Sequence, residues 1–174
     1  MASDLKSVLI GLFVDPAAAK ACHAAGIGET LELVLNQDNA DDHARQIPVQ
    51  MEVLALSDGE IVGRKGTYGG RTASLGLSAS VRMGGITMVI ASRRVQAADP
   101  AFFETFGLDI ASFRTVVVKS RGHFRAGFEE FFAHEQILEV DARGLVSPLF
   151  ERFPFSRLPR PVYPMDEDTE WQPA

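Results

Sequence analysis

The chain has 174 residues, enough for one domain with a sizeable core. Its net charge of −6 and pI of about 5.2 argue against a general nucleic-acid binder. Hydrophobic residues make up 46% and charged residues 23%, the balance of an ordinary soluble globular protein. No apolar run approaches the roughly 20 residues needed to span a bilayer. The start, Met1 to Lys6, lacks the apolar region and small-residue cleavage site of a secretory leader. The single cysteine, Cys22, cannot form an internal disulfide. These features predict a cytoplasmic protein with no membrane and no nucleic-acid partner.

Val8 to Phe13 is a short apolar run that reads as a strand or extended entry segment. Asp15 then stands as an N-cap with Pro16 at the first helical position. The helix is predicted over Pro16–Ala25 and stops at Gly26. Cys22 reads as a small core residue and His23 as a surface or capping histidine. Neither has a second ligand at a spacing that would make a metal site.

Leu31 to Leu35 is a predicted strand, and the polar stretch from Asn36 to Gln46 an exposed loop. That loop holds three aspartates and His43, but not at the spacing of a helix–loop–helix calcium site. Val49 to Leu56 is a second strand, Ser57-Asp58-Gly59 a turn, and Ile61-Val62 the start of the return. Residues 63–76 carry five glycines around Tyr68. No Gly-Lys-Ser/Thr follows, so this is a lid or a glycine-rich turn and not a phosphate-binding loop. Thr72 to Met83 alternates small and apolar residues, Gly84-Gly85 marks a tight hairpin, and Ile86 to Ala91 is strongly apolar. Residues 31–93 therefore predict a largely antiparallel sheet of four strands.

Asp99-Pro100 caps a short helix predicted from Ala101 to Phe106. Three consecutive valines, Val116 to Val118, suit a strand buried on both faces. A basic loop with Lys119, Ser120, Arg121, His123 and Arg125 follows. A helix predicted over Phe128 to Glu135 carries Phe128, Phe131 and Phe132 as a core stripe. Ile137 to Val140 is predicted as a last strand, reached by a right-handed crossover from the strand at 115–118. Beyond Gly144 six prolines prevent regular structure, and Asp166 to Ala174 is expected to be a flexible acidic tail. The fold class expected is thus α+β (mixed α/β): one domain, residues 8–165, with a mixed, largely antiparallel central sheet and flanking helices.

The charges are unevenly spread. Residues 61–98 and 110–128 together hold ten of the 17 basic residues and none of the 23 acids. If these windows meet in space, the protein carries one positive face that attracts carboxylates or other small anions. That arrangement would bring Arg93 or Arg94 close to the 119–125 loop. The alternative is that these cations pair with acids from elsewhere in the chain.

None of the four histidines, His23, His43, His123 and His134, stands in a helical ligand pair. Ser120 and His123 lie close enough in sequence to touch. No nucleophile elbow surrounds the serine, and no orienting acid lies in the segment. Pattern alone leaves two readings of 119–125: a solvated cationic loop after a core strand, or a ligand loop at a strand's carboxyl end.

The segment Lys119-Ser120-Arg121-Gly122-His123-Phe124-Arg125-Ala126-Gly127-Phe128 resembles the signature of the C-terminal domain of the MlrC (microcystinase C)-like metallopeptidases. The resemblance extends, in order, to Gly11 to Pro16, Ser57-Asp58-Gly59, Tyr68-Gly69-Gly70, Ser92 to Gln96 with Asp99 and Phe102, and Arg160 to Pro164. It covers about residues 9–165. It implies a zinc peptidase whose metal ligands lie in a separate N-terminal metal-binding domain. On that reading this chain holds no cofactor of its own and takes that domain and a peptide or small anionic substrate as partners. His123 becomes the catalytic candidate, donating to a developing oxyanion. Lys119, Ser120, Arg121, Arg125, Arg93, Arg94 and Tyr68 become substrate-binding candidates, with the arginines suited to a carboxylate. The same motif would also serve to secure the contact between domains. Two other readings stay open: a stand-alone, non-catalytic module for a small anionic ligand, and a structural domain that forms a homo-oligomer.

Overall fold

A computed structural model describes residues 6–38, 45–120, 122–141 and 149–170. Eight strands and three helices occur among them. They are β1 (Val8–Val14), α1 (Pro16–Ala25), β2 (Thr30–Leu35), β3 (Ile47–Ser57), β4 (Glu60–Val62), β5 (Thr72–Ser74), β6 (Ser78–Met83), β7 (Ile86–Ala91), α2 (Ala101–Glu104), β8 (Thr115–Val118) and α3 (Phe124–Phe128). Six strands form one mixed sheet in the order β2-β3-β6-β7-β1-β8. The first four are antiparallel neighbours, whereas β1 runs parallel to both β7 and β8. β4 and β5 make a separate antiparallel ribbon. The α+β class and the antiparallel 31–93 sheet expected from the sequence are present.

Strand alternation divides the core between the two faces of the sheet. Leu9, Leu12, Val89 and Ala91 face one side, against Phe102, Phe103, Phe106, Ile110 and Phe128, with Ile61 and Leu75 closing the layer. Met88, Ile90, Ala79, Val81, Met51 and Val53 face the other, against Ala18, Ala19 and Cys22 of α1. The small residues of α1 let it lie close to the sheet. Asp15 sets its start: Oδ1 accepts from Ala18 N at 2.9 Å and Oδ2 from Asn36 N at 2.8 Å. The cap and the helix bounds agree with the sequence reading.

Four expectations are corrected. The alternating run 72–83 is two strands, broken where Gly76 takes φ +63° and lets Ser92 and Arg93 approach. A Cβ at Gly76 would lie 2.3 Å from Ser92 Oγ. The helix after the basic loop starts at Phe124 and ends at Phe128, earlier than predicted. A Cβ on Gly127 would sit 2.4 Å from the Ala98 carbonyl oxygen, so this residue serves a close helix-to-loop approach. Phe131 and Phe132 still join the core, but from a turn. Ile137 to Val140 is not a strand: it has no regular secondary structure, and Leu138 and Val140 are 87% and 85% exposed. The expected crossover from 115–118 therefore does not form, and β8 finds its parallel partner in β1.

The contacts divide the chain into residues 1–137, just described, and residues 138–174. Among the described residues of the second unit the only regular piece is a 3₁₀ turn at Phe150–Arg152. This agrees with the density of prolines. Arg152 pairs with Asp141, and Arg160 with Asp166, whose Oδ2 also accepts from Val162 N at 2.6 Å. The far end of the predicted tail, 171–174, lies outside the described residues.

Candidate functional site

Parallel pairing brings the carboxyl ends of β7, β1 and β8 to one end of the sheet. The chain leaves β7 through Ser92-Arg93-Arg94-Val95-Gln96 and leaves β8 through Lys119 and Ser120. Strands in a sheet lie about 4.8 Å apart, so β7 and β8, one strand removed, are about 10 Å from each other. Loops springing from them can meet over the end of β1, and they do. His123 Nδ1 lies 2.9 Å from Gln96 Oε1. With Oε1 accepting, Nδ1 carries the hydrogen, and Nε2 of the neutral ring keeps its lone pair. Donation from Nε2 to an oxyanion then belongs to the imidazolium form.

The loop after β7 is anchored from below. Ser92 N and Arg93 N donate to Leu75 O at 3.1 and 2.9 Å. Asp99, which is fully buried, accepts from Ala101 N through Oδ1 (2.8 Å) and from Arg64 N and Lys65 N through Oδ2 (2.8 and 2.9 Å). Three backbone donors offset the burial of this carboxylate. They tie the glycine-rich segment to the loop that precedes α2. The 3₁₀ turn Gly66–Tyr68 and the bond from Gly70 N to Gly63 O (2.8 Å) make 63–71 a built turn. The turn reading of that segment is the one observed.

The sequence-predicted residues fall into three groups. Lys119, Arg93 and Arg94 are exposed, stand on the loops at the carboxyl ends of β7 and β8, and make no ion pair among the described residues. His123 joins them through its bond to Gln96. Arg125 and Ser120 are more enclosed: the Arg125 guanidinium lies over the Phe124 ring at 4.9 Å, and Ser120 Oγ is buried with no hydrogen-bond partner among the described residues. Tyr68 stands apart, its ring edge-on to Phe102 at 5.0 Å as part of the core. Arg121 and His43 lie outside the described residues.

The expected single positive face is smaller than the acid-free windows suggest. Arg64 pairs with Glu104 at 2.5 Å and with Glu130. Lys65 reaches Glu130 at 3.5 Å, and Arg82 reaches Glu52 at 2.6 Å. The Arg64 contact holds the Glu130 carboxyl below its usual range. Those three cations are structural, recruited by acids distant in sequence. Lys119, Arg93 and Arg94, at the carboxyl ends of the strands, are among the cations that make no ion pair among the described residues.

His23, on α1, places Nε2 3.0 Å from Ser78 O, and His134 sits on an exposed 3₁₀ turn. Among the described residues no group of three or more His, Cys, Asp or Glu side chains could hold a metal. The zinc site that the resemblance implies belongs to the N-terminal domain and draws on no residue of this chain. No helix among the described residues is long and apolar enough to cross a membrane. Sequence reasoning assigned no role to Gln96 and saw Asp99 only as a helix cap. Gln96 carried no signal beyond its place in the resembling segment, because an amide shows its partner only after two distant loops meet.

A mixed sheet with basic loops gathered at the ends of its parallel strands defines an α+β domain of the kind that presents a ligand-facing edge. The chain belongs to the MlrC C-terminus family, which matches residues 1–157. It is similar to the crystal structure of a candidate metallopeptidase from Mesorhizobium sp. BNC1, with 26% identity and a TM-score of 0.76. That similarity covers 97% of this chain and 32% of the other, so the chain spans about a third of its relative's length. A search of the curated proteins finds no match.

Proposed function

We infer that this chain serves an MlrC-like zinc metallopeptidase in the cytoplasm, hydrolysing peptide bonds. It supplies substrate-binding and interdomain surface to a zinc site held by an N-terminal portion. The observation that carries this reading is the Gln96–His123 contact. It ties the loop of Lys119 and His123 to the loop of Arg93 and Arg94, at the carboxyl ends of parallel strands, where ligands bind in open α/β sheets. His123 is the catalytic residue in this scheme. As imidazolium it donates from Nε2 to the oxygen that gains charge when the carbonyl is attacked. Lys119, Arg121, Arg125, Arg93 and Arg94 hold the substrate's carboxylates, and Ser120 lines the same loop. Tyr68 acts through the core beneath the site.

The test uses the chain joined to a zinc-bearing N-terminal portion. His123→Ala is expected to lower turnover by about a hundred- to a thousandfold with zinc content and thermal stability unchanged. Normal turnover in correctly assembled protein would leave the motif a purely interdomain role. The unpaired cations favour one second reading, a stand-alone module for a small anion. In that case the chain binds carboxylates with the same affinity whether or not the N-terminal portion is present, and the joined protein hydrolyses nothing.

A further inference from the structure

β8 closes one side of the six-stranded sheet, and its outer edge has no strand partner among the described residues. Its inner edge pairs with β1 in regular register, Val8 with Thr115 through Gly11 with Val118. Val116 and Val118 turn toward the core. Thr115 and Val117 turn outward, and Val117, beside Ile10 on the neighbouring strand, remains 47% exposed. Edge strands are commonly protected by a proline, a bulge or an inserted charge. β8 has none of these. Its charges stand at the two ends instead, Arg114 before it and Lys119 after it, both exposed and in no ion pair among the described residues. No acid occurs anywhere in 110–128. At the carboxyl end the strand runs directly into the loop of Lys119, Ser120 and His123.

An edge of this kind suits an extended peptide added as a further strand. Main-chain hydrogen bonds then give affinity, and alternate side chains give specificity. The charges select the ligand and its direction. A carboxylate belongs at the Lys119 end, so the peptide runs parallel to β8. Its alternate residues cover Val117 on one face, and an acidic side chain at its start meets Arg114. We propose that the outer edge of β8 binds the last few residues of peptides that end in a free carboxylate, with that carboxylate at Lys119. This rests on the peptidase reading and narrows it: the substrates are carboxyl-terminal peptide segments, and the bond to be cut is presented from β8.

The experiment uses the 174-residue chain alone, so its result does not depend on hydrolysis. The probe is acetyl-Glu-Val-Thr-Val with a free carboxylate, compared with its amide and with a form N-methylated at the third residue. Binding is followed by titration and by amide hydrogen exchange. The free acid is expected to slow exchange of outward amides in 115–118. Amidation, N-methylation and Lys119→Glu are each expected to weaken binding at least tenfold, with the variant's melting temperature unchanged. Equal binding of acid and amide, or of methylated and unmethylated peptide, overturns the proposal. So does protection that maps to β2, the opposite edge. Peptidase activity in the joined protein with no protection at β8 would sink this proposal and leave the broader reading intact. Protection at β8 without hydrolysis by the joined protein would do the reverse.

Discussion

Cys22 is fully buried between α1 and the sheet. Burial pushes its thiol up to about 11; the Asp15 carboxylate acts in the same sense, and a backbone hydrogen bond opposes it. A group whose pKa is raised on folding contributes stability that is complete below its unfolded value, near 8.5, and is lost as the pH climbs toward 11. Thiol labelling at pH 8 should therefore be slow and limited by opening of the fold; labelling as fast as a free thiol would contradict this. Gln96 matters in a different way. In the proposed peptidase it orients the His123 ring without touching a reacting atom, so Gln96→Leu should lower turnover of the joined protein on the order of a hundredfold, as misplacement by about 1 Å does elsewhere. Rescue by Gln96→Asn or Gln96→Glu would mark the lost hydrogen bond as the cause, and unchanged turnover would remove Gln96 from the site. Single residues were legible from sequence where their partners are local. Asp15 was read as a cap because Ala18 is three residues away. The pairing of Arg64 and Arg82 stayed open between a positive face and distant acids, because their partners are 40 and 30 residues away.

At the scale of elements, strands were legible by alternation and α1 by its cap, its proline and its glycine stop. α3 was displaced in the reading because Gly127 looked like loop punctuation. Its actual role is to bring the helix against Ala98. Replacing a helical glycine by alanine ordinarily stabilises a protein by up to about 1 kcal/mol. Here the added methyl would meet the Ala98 carbonyl oxygen at 2.4 Å, a backbone atom that cannot swing aside. Gly127→Ala should therefore destabilise by about 1–3 kcal/mol, the usual range for an overpacked site. Chemical denaturation measures it, and a stabilised variant would show that the contact yields freely. The segment 137–140 teaches a related point. Alternation predicts a strand only when another strand edge is there to receive it, and that condition is invisible locally.

For the molecule as a whole, the second unit is held by charge and turns, since none of its described residues belongs to the buried core. Its Arg160 hydrogen bond, helped by Val162 N–H, holds the Asp166 carboxyl down at about 2. A carboxyl depressed in this way adds stability above its unfolded value of about 3.9, and the contribution is lost as the pH falls toward 2. The turn at 160–169 should loosen over that window, with the Asp166 carboxyl signal tracking it by NMR. Loosening complete above pH 5 would point to another group. Proline density foretold the lack of helix and strand here, but not this ion pair.

The placement of β1 has a consequence for how the chain assembles. The first strand to be made lies between β7 and β8, and its partners on β8 come roughly a hundred residues later. The meander from β2 to β7 closes through near neighbours. The outer side of β1, one place in from the sheet's edge, waits for β8. Such long-range pairings slow folding, because the entropy of closing the loop is lost before the contacts reward it. During synthesis Leu9 and Leu12 emerge early and stay uncovered until the residues they pack against, from Val89 to Ile110, have been made. The end of the sheet that gathers His123, Lys119 and the two arginines is thus the last part to exist, and its assembly reports that the whole of residues 8–118 has found its register.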